Sequence, residues 1–382
     1  MAFSSLGLSA PLLQAIREHK YKDPYPVQEQ AIPAIISGKD ILGISKTGSG
    51  KTAGYVLPIL ELFQLRSSKG DRHIGALVIV PTRELAIQVN DVFKTFSKHL
   101  PQTIKTTAVF GGVSINPQMI AVRHTDVLIA TPGRLLDLID SKAVHISRAD
   151  ILVLDEADKM LNLGFKEEMD KIMALLPEKR QNILFSATLN NDINDIQLQL
   201  LHEPVKIEIV DEESGSNIDQ ISQLAYNVTL ERKGPFLRYL IKSENMEQVL
   251  VFTSAIRSAE NLVGKLNKNG VQAAAFHGDL SQGTRVDNLR MFKEGRLRVL
   301  VATDLAARGI DIKDLPVVIN FELPRSPKDY VHRIGRTGRA DANGTAISLL
   351  CEDDQHHFKI IQKKMGKKVE IKESAEIDLH GF

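Results

Sequence analysis

The chain has 382 residues, enough for two domains with separate cores, and its 43% hydrophobic and 25% charged content is ordinary for a soluble globular protein. A formal net charge of +1 excludes any argument for a nucleic-acid partner from bulk electrostatics, so such a surface must be a local patch. The single cysteine, Cys351, excludes an intramolecular disulfide and reads as a small buried residue on a late strand.

No basic segment followed by a long apolar core opens the chain. No apolar run approaches the roughly 18 residues that span a bilayer, so a cytoplasmic protein with no membrane contact is expected. In chain order, apolar β-branched runs fall at Asp40–Ile44, Ala76–Val80, Thr106–Phe110, Asp126–Ala130, Ile151–Leu154 and Asn182–Phe185. They resume at Gln248–Phe252, Ala273–Phe276, Arg298–Ala302, Val317–Phe321 and Thr345–Leu350, with helix-like stretches between. Continuous hydrophobicity fits strands covered on both faces, so the chain reads as two doubly wound α/β domains with parallel sheets. The acidic, small-residue stretch Val210–Asn217 reads as an exposed linker. The expected organisation is therefore a first domain over 1–209, a linker over 210–219, a second domain over 220–365 and a short charged tail over 366–382. Lys359–Lys372 holds six lysines against one glutamate and reads as a solvated terminal helix and tail.

Nearly every apolar run ends in a polar or glycine cluster, which places the chemistry on the carboxyl rim of each sheet. Ser45-Lys46-Thr47-Gly48-Ser49-Gly50-Lys51-Thr52 follows a strand and opens a helix, the context of a phosphate-binding loop. Lys51 would reach the β- and γ-phosphates, and the Thr52 hydroxyl would ligate Mg²⁺. Three carboxylates in four residues, Asp155, Glu156 and Asp158, stand at the mouth of the buried run Ile151–Leu154. Carboxylates are costly there without a cation, so Asp155 is assigned to Mg²⁺ and Glu156 to the attacking water. The basic run His332–Arg339 supplies positive charge for a developing γ-phosphate. Arg336 and Arg339, spaced i, i+3, are expected to share a helix face as arginine fingers.

With these pieces placed, the chain resembles the DEAD-box RNA helicases over nearly its full length. Asp155-Glu156-Ala157-Asp158 matches the naming motif, and Pro81–Ala86, Thr131–Arg134, Ser186–Thr188, Ala302–Asp311 and His332–Arg339 follow in family order. The ending Ile377–Phe382 looks like that of the bacterial RhlE-type subgroup. The resemblance implies two tandem RecA-like domains with a cleft between them, ATP and Mg²⁺ as cofactors, and structured or duplex RNA as substrate. It also implies an adenine-reading motif over residues 3–28, in which Tyr21 stacks on the base, Gln28 bonds its edge and Phe3 is the isolated upstream aromatic. Gly309 and Asp311 resemble the family's ribose contacts. Ser186 and Thr188 resemble the motif that couples hydrolysis to strand separation, through Asp158 and His332. Arg83, Gly112, Thr131, Gly133 and Arg134 of the first domain, with Arg285 and Thr303 of the second, match positions that hold an RNA backbone without reading bases. RNA would be told from DNA by its 2′-OH groups.

Four positions depart from the family pattern. Ser45 replaces a glycine, Lys20 stands where glycine precedes the aromatic, Tyr25 stands for threonine, and no proline follows Thr188. The activity implied is ATP-dependent local unwinding of RNA, with ribosomal precursors or the RNA-decay machinery as expected company. An ATP-gated RNA clamp and a DNA-directed translocase on the same core remain as alternatives.

Overall fold

The computed structural model describes residues 2–45, 48–65, 73–98, 100–189, 191–209, 221–307, 315–338 and 344–382. The chain divides into two compact units, Met1–Val210 and Asp211–Phe382. Strands of the first unit are β1 (Ile41–Ile44), β2 (Ala76–Ile79), β3 (Thr106–Val109), β4 (Val127–Ala130), β5 (Ile151–Leu154), β6 (Gln181–Ser186) and β7 (Val205–Glu208). Those of the second are β8 (Ser222–Asn227), β9 (Val249–Thr253), β10 (Ala273–Phe276), β11 (Val299–Thr303), β12 (Val317–Asn320), β13 (Thr345–Leu350) and β14 (Glu370–Glu373).

The first sheet runs β3-β4-β2-β5-β6-β1-β7 and the second β10-β11-β9-β12-β13-β8-β14. Adding seven to each number of the first order gives the second, so the two units share one topology. Every strand pair within these sheets is parallel. Helices between successive strands supply the crossovers that parallel pairing requires.

Alternate side chains of the first sheet feed two cores. Val78, Ile129, Val153, Ile183 and Phe185 pack on one face, while Leu77, Ile79, Leu128, Leu152 and Leu184 pack on the other. That double burial is the reason these strands read as unbroken apolar runs. β7 and β14 lie at sheet edges, where exposed positions take charges such as Lys206, Glu208, Glu370 and Lys372. β8 exposes or half-exposes all of its residues but Ala225. These three strands carry no apolar run, and the sequence did not signal them.

The carboxyl-terminal region differs from a solvated helix and tail. The helix Asp354–Met365 stops at Gly366, whose φ of 71° lies in the left-handed region that glycine tolerates. The chain then adds β14 beside β8. Beyond it, the Ser374 hydroxyl donates to the Asn227 carbonyl at 2.6 Å, and Arg232 donates to the Ser374 and Ile377 carbonyls. Ile377 and Leu379 pack on the second unit's core, and the Phe382 ring meets Tyr239 edge-on at 5.2 Å. Residues 370–382 are thus built into the second unit. Cys351 is partly buried and falls one residue past β13, and its N–H donates to Asp354.

One close approach fixes the strand that leads into the phosphate loop. Gly43 on β1 faces the Phe185 ring of β6, and a Cβ there would lie 2.1 Å from Phe185 Cε1. Phe185 in turn packs against Tyr55 of the helix Lys51–Leu65, with ring centroids 5.9 Å apart. Gly43→Ala should overpack this contact and cost about 1–3 kcal/mol, read as a lower urea midpoint of the first unit. An unchanged midpoint would show that the ring has room to move.

Candidate functional site

The phosphate loop joins β1 to the helix Lys51–Leu65, with φ of 91° at Gly48 and 87° at Gly50. Gly50 also admits close neighbours, since a Cβ there would lie 2.6 Å from Gln28 Nε2 and 2.8 Å from the Tyr25 ring. Ser45 and Ser49 hydroxyls are hydrogen-bonded at 2.9 Å, and Lys51 Nζ donates to the Ser45 carbonyl at 2.7 Å. The loop therefore closes on its own lysine. Lys46 and Thr47 lie outside the described residues.

Gln28, fully buried, accepts from Tyr25 N at 3.0 Å and donates to the Gly50 carbonyl at 2.9 Å. Its amide caps the helix Pro26–Ile36 and clasps the phosphate loop, so both of its polar ends are engaged. Tyr25, standing where the family has threonine, makes no side-chain cap bond. Lys20, standing for glycine, takes a φ of 60°, a left-handed conformation that costs a non-glycine residue about 1–2 kcal/mol. Tyr21 meets Phe3 edge-on at 6.4 Å and Phe96 at 5.5 Å. Phe96, on the helix Arg83–Ser97, is a support the sequence did not mark.

The carboxylates follow β5. Asp155 is 2% exposed and Glu156 4%. Tyr55 donates to Asp155 Oδ2 at 3.0 Å, whereas the buried Oδ1 has no hydrogen-bond partner. Burial raises the Asp155 pKa above the usual carboxylate range, and the Lys51 charge opposes that rise. The Tyr55 pKa is pushed well up, by burial first and then by the Asp155 charge. Glu156 sits at φ 56°, ψ 45°, just before the helix Ala157–Asn162, and Lys159 pairs with its Oε1 at 2.7 Å. Asp158 turns toward the end of β6, accepting from Ala187 N and from the Thr188 hydroxyl, both at 3.3 Å. Ser186 Oγ closes this turn by donating to the Thr188 carbonyl at 2.8 Å.

A second group of residues follows the other half of the sheet. Arg83 begins the helix after β2, Gly112 follows β3, and Thr131, Gly133 and Arg134 follow β4. Gly112 has a φ of 74°, and a Cβ there would lie 2.0 Å from the Arg83 guanidinium. Arg134 is buried and donates to the Val113 carbonyl at 2.8 Å and to Asp137 at 3.2 Å, but one of its terminal nitrogens has no partner. Nucleotide candidates thus cluster on β5-β6-β1 and backbone-binding candidates on β3-β4-β2. In the second unit, Arg285 and Thr303 fall on β10-β11, the equivalent half. Arg285 lies over the Phe276 ring at 5.1 Å.

The basic run departs from expectation. The helix Pro327–Ile334 ends at Gly335, so Arg336 follows the helix instead of sharing a face of it with Arg339. Instead the Arg336 carbonyl accepts from Leu315 N, and Thr337 Oγ1 donates to the Leu315 carbonyl. His332 lies in the last turn of that helix. Arg339, Gly309 and Asp311 lie outside the described residues. Arg333 turns inward: its guanidinium grips both Asp304 oxygens at 2.5 and 2.7 Å, and it also donates to Asn320 and to the Glu322 carbonyl. It lies 4.9 Å from the Phe252 ring centre.

A glycine-rich loop beside buried acidic residues, on a topology that is then repeated, fits a protein of two related nucleotide-binding units. Residues 25–196 match the DEAD/DEAH box helicase family, and residues 232–341 match the helicase conserved C-terminal domain. The chain is 38% identical over 380 residues to the DEAD-box ATP-dependent RNA helicase CshA of Bacillus cereus, covering 98% of this chain and 70% of that protein. It is also 38% identical to the ATP-dependent RNA helicase RhlB of Pseudomonas syringae pv. tomato, covering 96% of this chain and 93% of that one. S. cerevisiae Dbp5 bound to RNA and ADP BeF3 superposes with a TM-score of 0.83 at 30% identity, over 100% of this chain and 97% of that chain. A DEAD box protein from the hyperthermophile Methanococcus jannaschii has a TM-score of 0.53 at 35% identity, over 98% and 99% of the two chains. The chain belongs to the DEAD-box ATP-dependent RNA helicases, and its fold is the tandem RecA-like arrangement of that family. These bacterial relatives carry the names CshA and RhlB, not the RhlE-type name that the chain's ending resembles.

Arg333→Lys keeps the charge but loses the forked contact with Asp304. It should destabilise the second unit by about 2–3 kcal/mol, seen as an earlier unfolding transition in urea. A coincident transition would mean that the network is redundant.

Proposed function

We propose that this chain couples ATP hydrolysis to local unwinding or remodelling of structured RNA, holding RNA by its backbone. The observation that carries the reading is the Asp155–Glu156 pair, buried at the end of β5 beside the phosphate loop, with Asp155 Oδ1 unpartnered. A buried carboxylate oxygen left without a partner is costly, and a divalent cation relieves that cost. The Thr52 hydroxyl and one Asp155 oxygen form the sparse oxygen set that Mg²⁺ takes when phosphates and water complete its shell, so the residues fit the ion. When bound, Mg²⁺ would neutralise phosphate charge.

The chain's own residues divide the remaining work. Lys51 would exchange the Ser45 carbonyl for phosphate oxygens, opening the loop. Gln28 and Tyr21 would select adenine, with Phe3 behind Tyr21. Gln28 would hold the base edge only by releasing one of its present partners, Tyr25 N or the Gly50 carbonyl. Glu156 would orient and deprotonate the attacking water; its backbone is left-handed, and Lys159 holds its Oε1. Arg336 and Arg339 of the second unit would stabilise the γ-phosphate charge once the units close together on RNA. Gly309 and Asp311 would meet the ribose. Asp158, through Thr188 and Ser186, with His332, would report the state of the site to the RNA-holding residues.

Arg83, Gly112, Thr131, Gly133, Arg134, Arg285 and Thr303 offer guanidinium, hydroxyl and backbone groups, which suit phosphate and sugar and carry little base information. Dbp5, the neighbour captured with RNA and ADP BeF3, supports RNA as the polymer. Among the described residues, no helix is long and apolar enough to cross a membrane. We place the enzyme in the cytoplasm, working on ribosomal precursors or with the RNA-decay machinery.

ATP turnover should rise with single-stranded RNA and not with the matched DNA. Glu156→Gln should lower RNA-stimulated turnover by about 10²–10⁴-fold while ATP binding persists. Equal stimulation by DNA would sink the RNA assignment, and near-normal turnover in the variant would remove Glu156 from the water.

A further inference from the structure

Tyr55 lies three residues after Thr52 on the helix that leaves the phosphate loop, so the two side chains share a helix face. Its hydroxyl is completely buried and donates to Asp155 Oδ2 at 3.0 Å. A phenol has one proton, and an ionised carboxylate can only accept, so the Tyr55 proton is committed to Asp155 Oδ2. Asp155 is thereby held by Oδ2, and its buried Oδ1 has no hydrogen-bond partner. The carboxylate read as a Mg²⁺ ligand is oriented through one phenol oxygen.

The ring that carries this oxygen is itself held. Phe185 packs against it with centroids 5.9 Å apart and planes at 37°, and the glycine at position 43 leaves room for Phe185. The set Gly43, Phe185, Tyr55 runs from β1 across β6 to the loop helix and ends at Asp155.

We propose that Tyr55 is a positioning residue for the Mg²⁺ that accompanies the nucleotide, its hydroxyl holding Asp155 Oδ2 so that Oδ1 is left for the ion. The proposal rests on the reading of Thr52 and Asp155 as the Mg²⁺ ligands. Partners of this kind set ligand orientation, and their loss weakens metal binding about 10–100-fold. A phenylalanine preserves the ring and its packing on Phe185 and removes only the hydroxyl.

The test is a titration of Mg²⁺ against the binding of a fluorescent, non-hydrolysable ATP analogue to the full chain, for wild type and Tyr55→Phe. The variant should need about tenfold more Mg²⁺ for half-maximal binding with binding in EDTA unchanged, while its metal-free melting temperature falls because Asp155 Oδ2 loses its donor. Turnover with RNA should recover as Mg²⁺ is raised. An unchanged Mg²⁺ midpoint overturns the proposal, as does equal weakening with and without Mg²⁺, which marks a purely structural residue. A wild-type protein that binds the analogue equally well with Mg²⁺ and in EDTA would instead remove the ligand reading beneath it. Lys51→Ala, which should lose analogue binding in both conditions, confirms that the probe reports the phosphate loop.

Discussion

Two carboxylates buried at the end of an apolar strand are the constraint around which the first unit is arranged. Asp155 and Glu156 follow β5, whose four residues are all buried, and water cannot solvate them as it would at a surface. The surroundings answer with a phenol, two lysines and a tight backbone turn, yet leave Asp155 Oδ1 without a partner. In the proposed function such a site would take a cation together with the phosphate oxygens that complete its shell, so that nucleotide binding would also relieve this electrostatic cost.

The parallel sheet makes that arrangement possible and also separates it from the residues proposed to hold RNA. Because β5, β6 and β1 are neighbours, their terminal loops bring the acidic residues, the Ser186–Thr188 turn and the phosphate loop to one side of the rim. β3, β4 and β2 carry the arginines and the glycine suited to a sugar–phosphate backbone on the other side. Asp158 joins the first group internally, linking the acidic turn to Thr188. The second unit repeats the strand order, so Arg285 and Thr303 fall on the corresponding half without any sequence repeat announcing it.

Much of this was legible because buried parallel strands leave an unbroken apolar signature. All eleven of those runs became strands, with ends shifted by a residue or two. β7, β8 and β14 were not legible, since exposed positions let Lys206, Glu208, Ser222 and Glu370 stand where a core strand would have aliphatic side chains. The lysine-rich stretch does begin as a helix with exposed lysines, but charge marks solvent contact, which the edge strand Glu370–Glu373 also has. Arg336 was expected to share a helix face, but Gly335 ends that helix before it. Arg333 looked like one more surface cation and is instead an internal fork on Asp304. Tyr55 carried no readable sign of its bond to Asp155, since an aromatic in an apolar helix reads first as core.

The account's central claim is that the buried Asp155 carboxylate waits for Mg²⁺ and nucleotide together. Calorimetry of a non-hydrolysable ATP analogue, with Mg²⁺ and in EDTA, on wild type and Asp155→Asn tests this directly. Wild type should bind more tightly with Mg²⁺, and Asp155→Asn should lose most of that gain while matching wild type in EDTA. A variant that keeps the full gain from Mg²⁺ would contradict the claim.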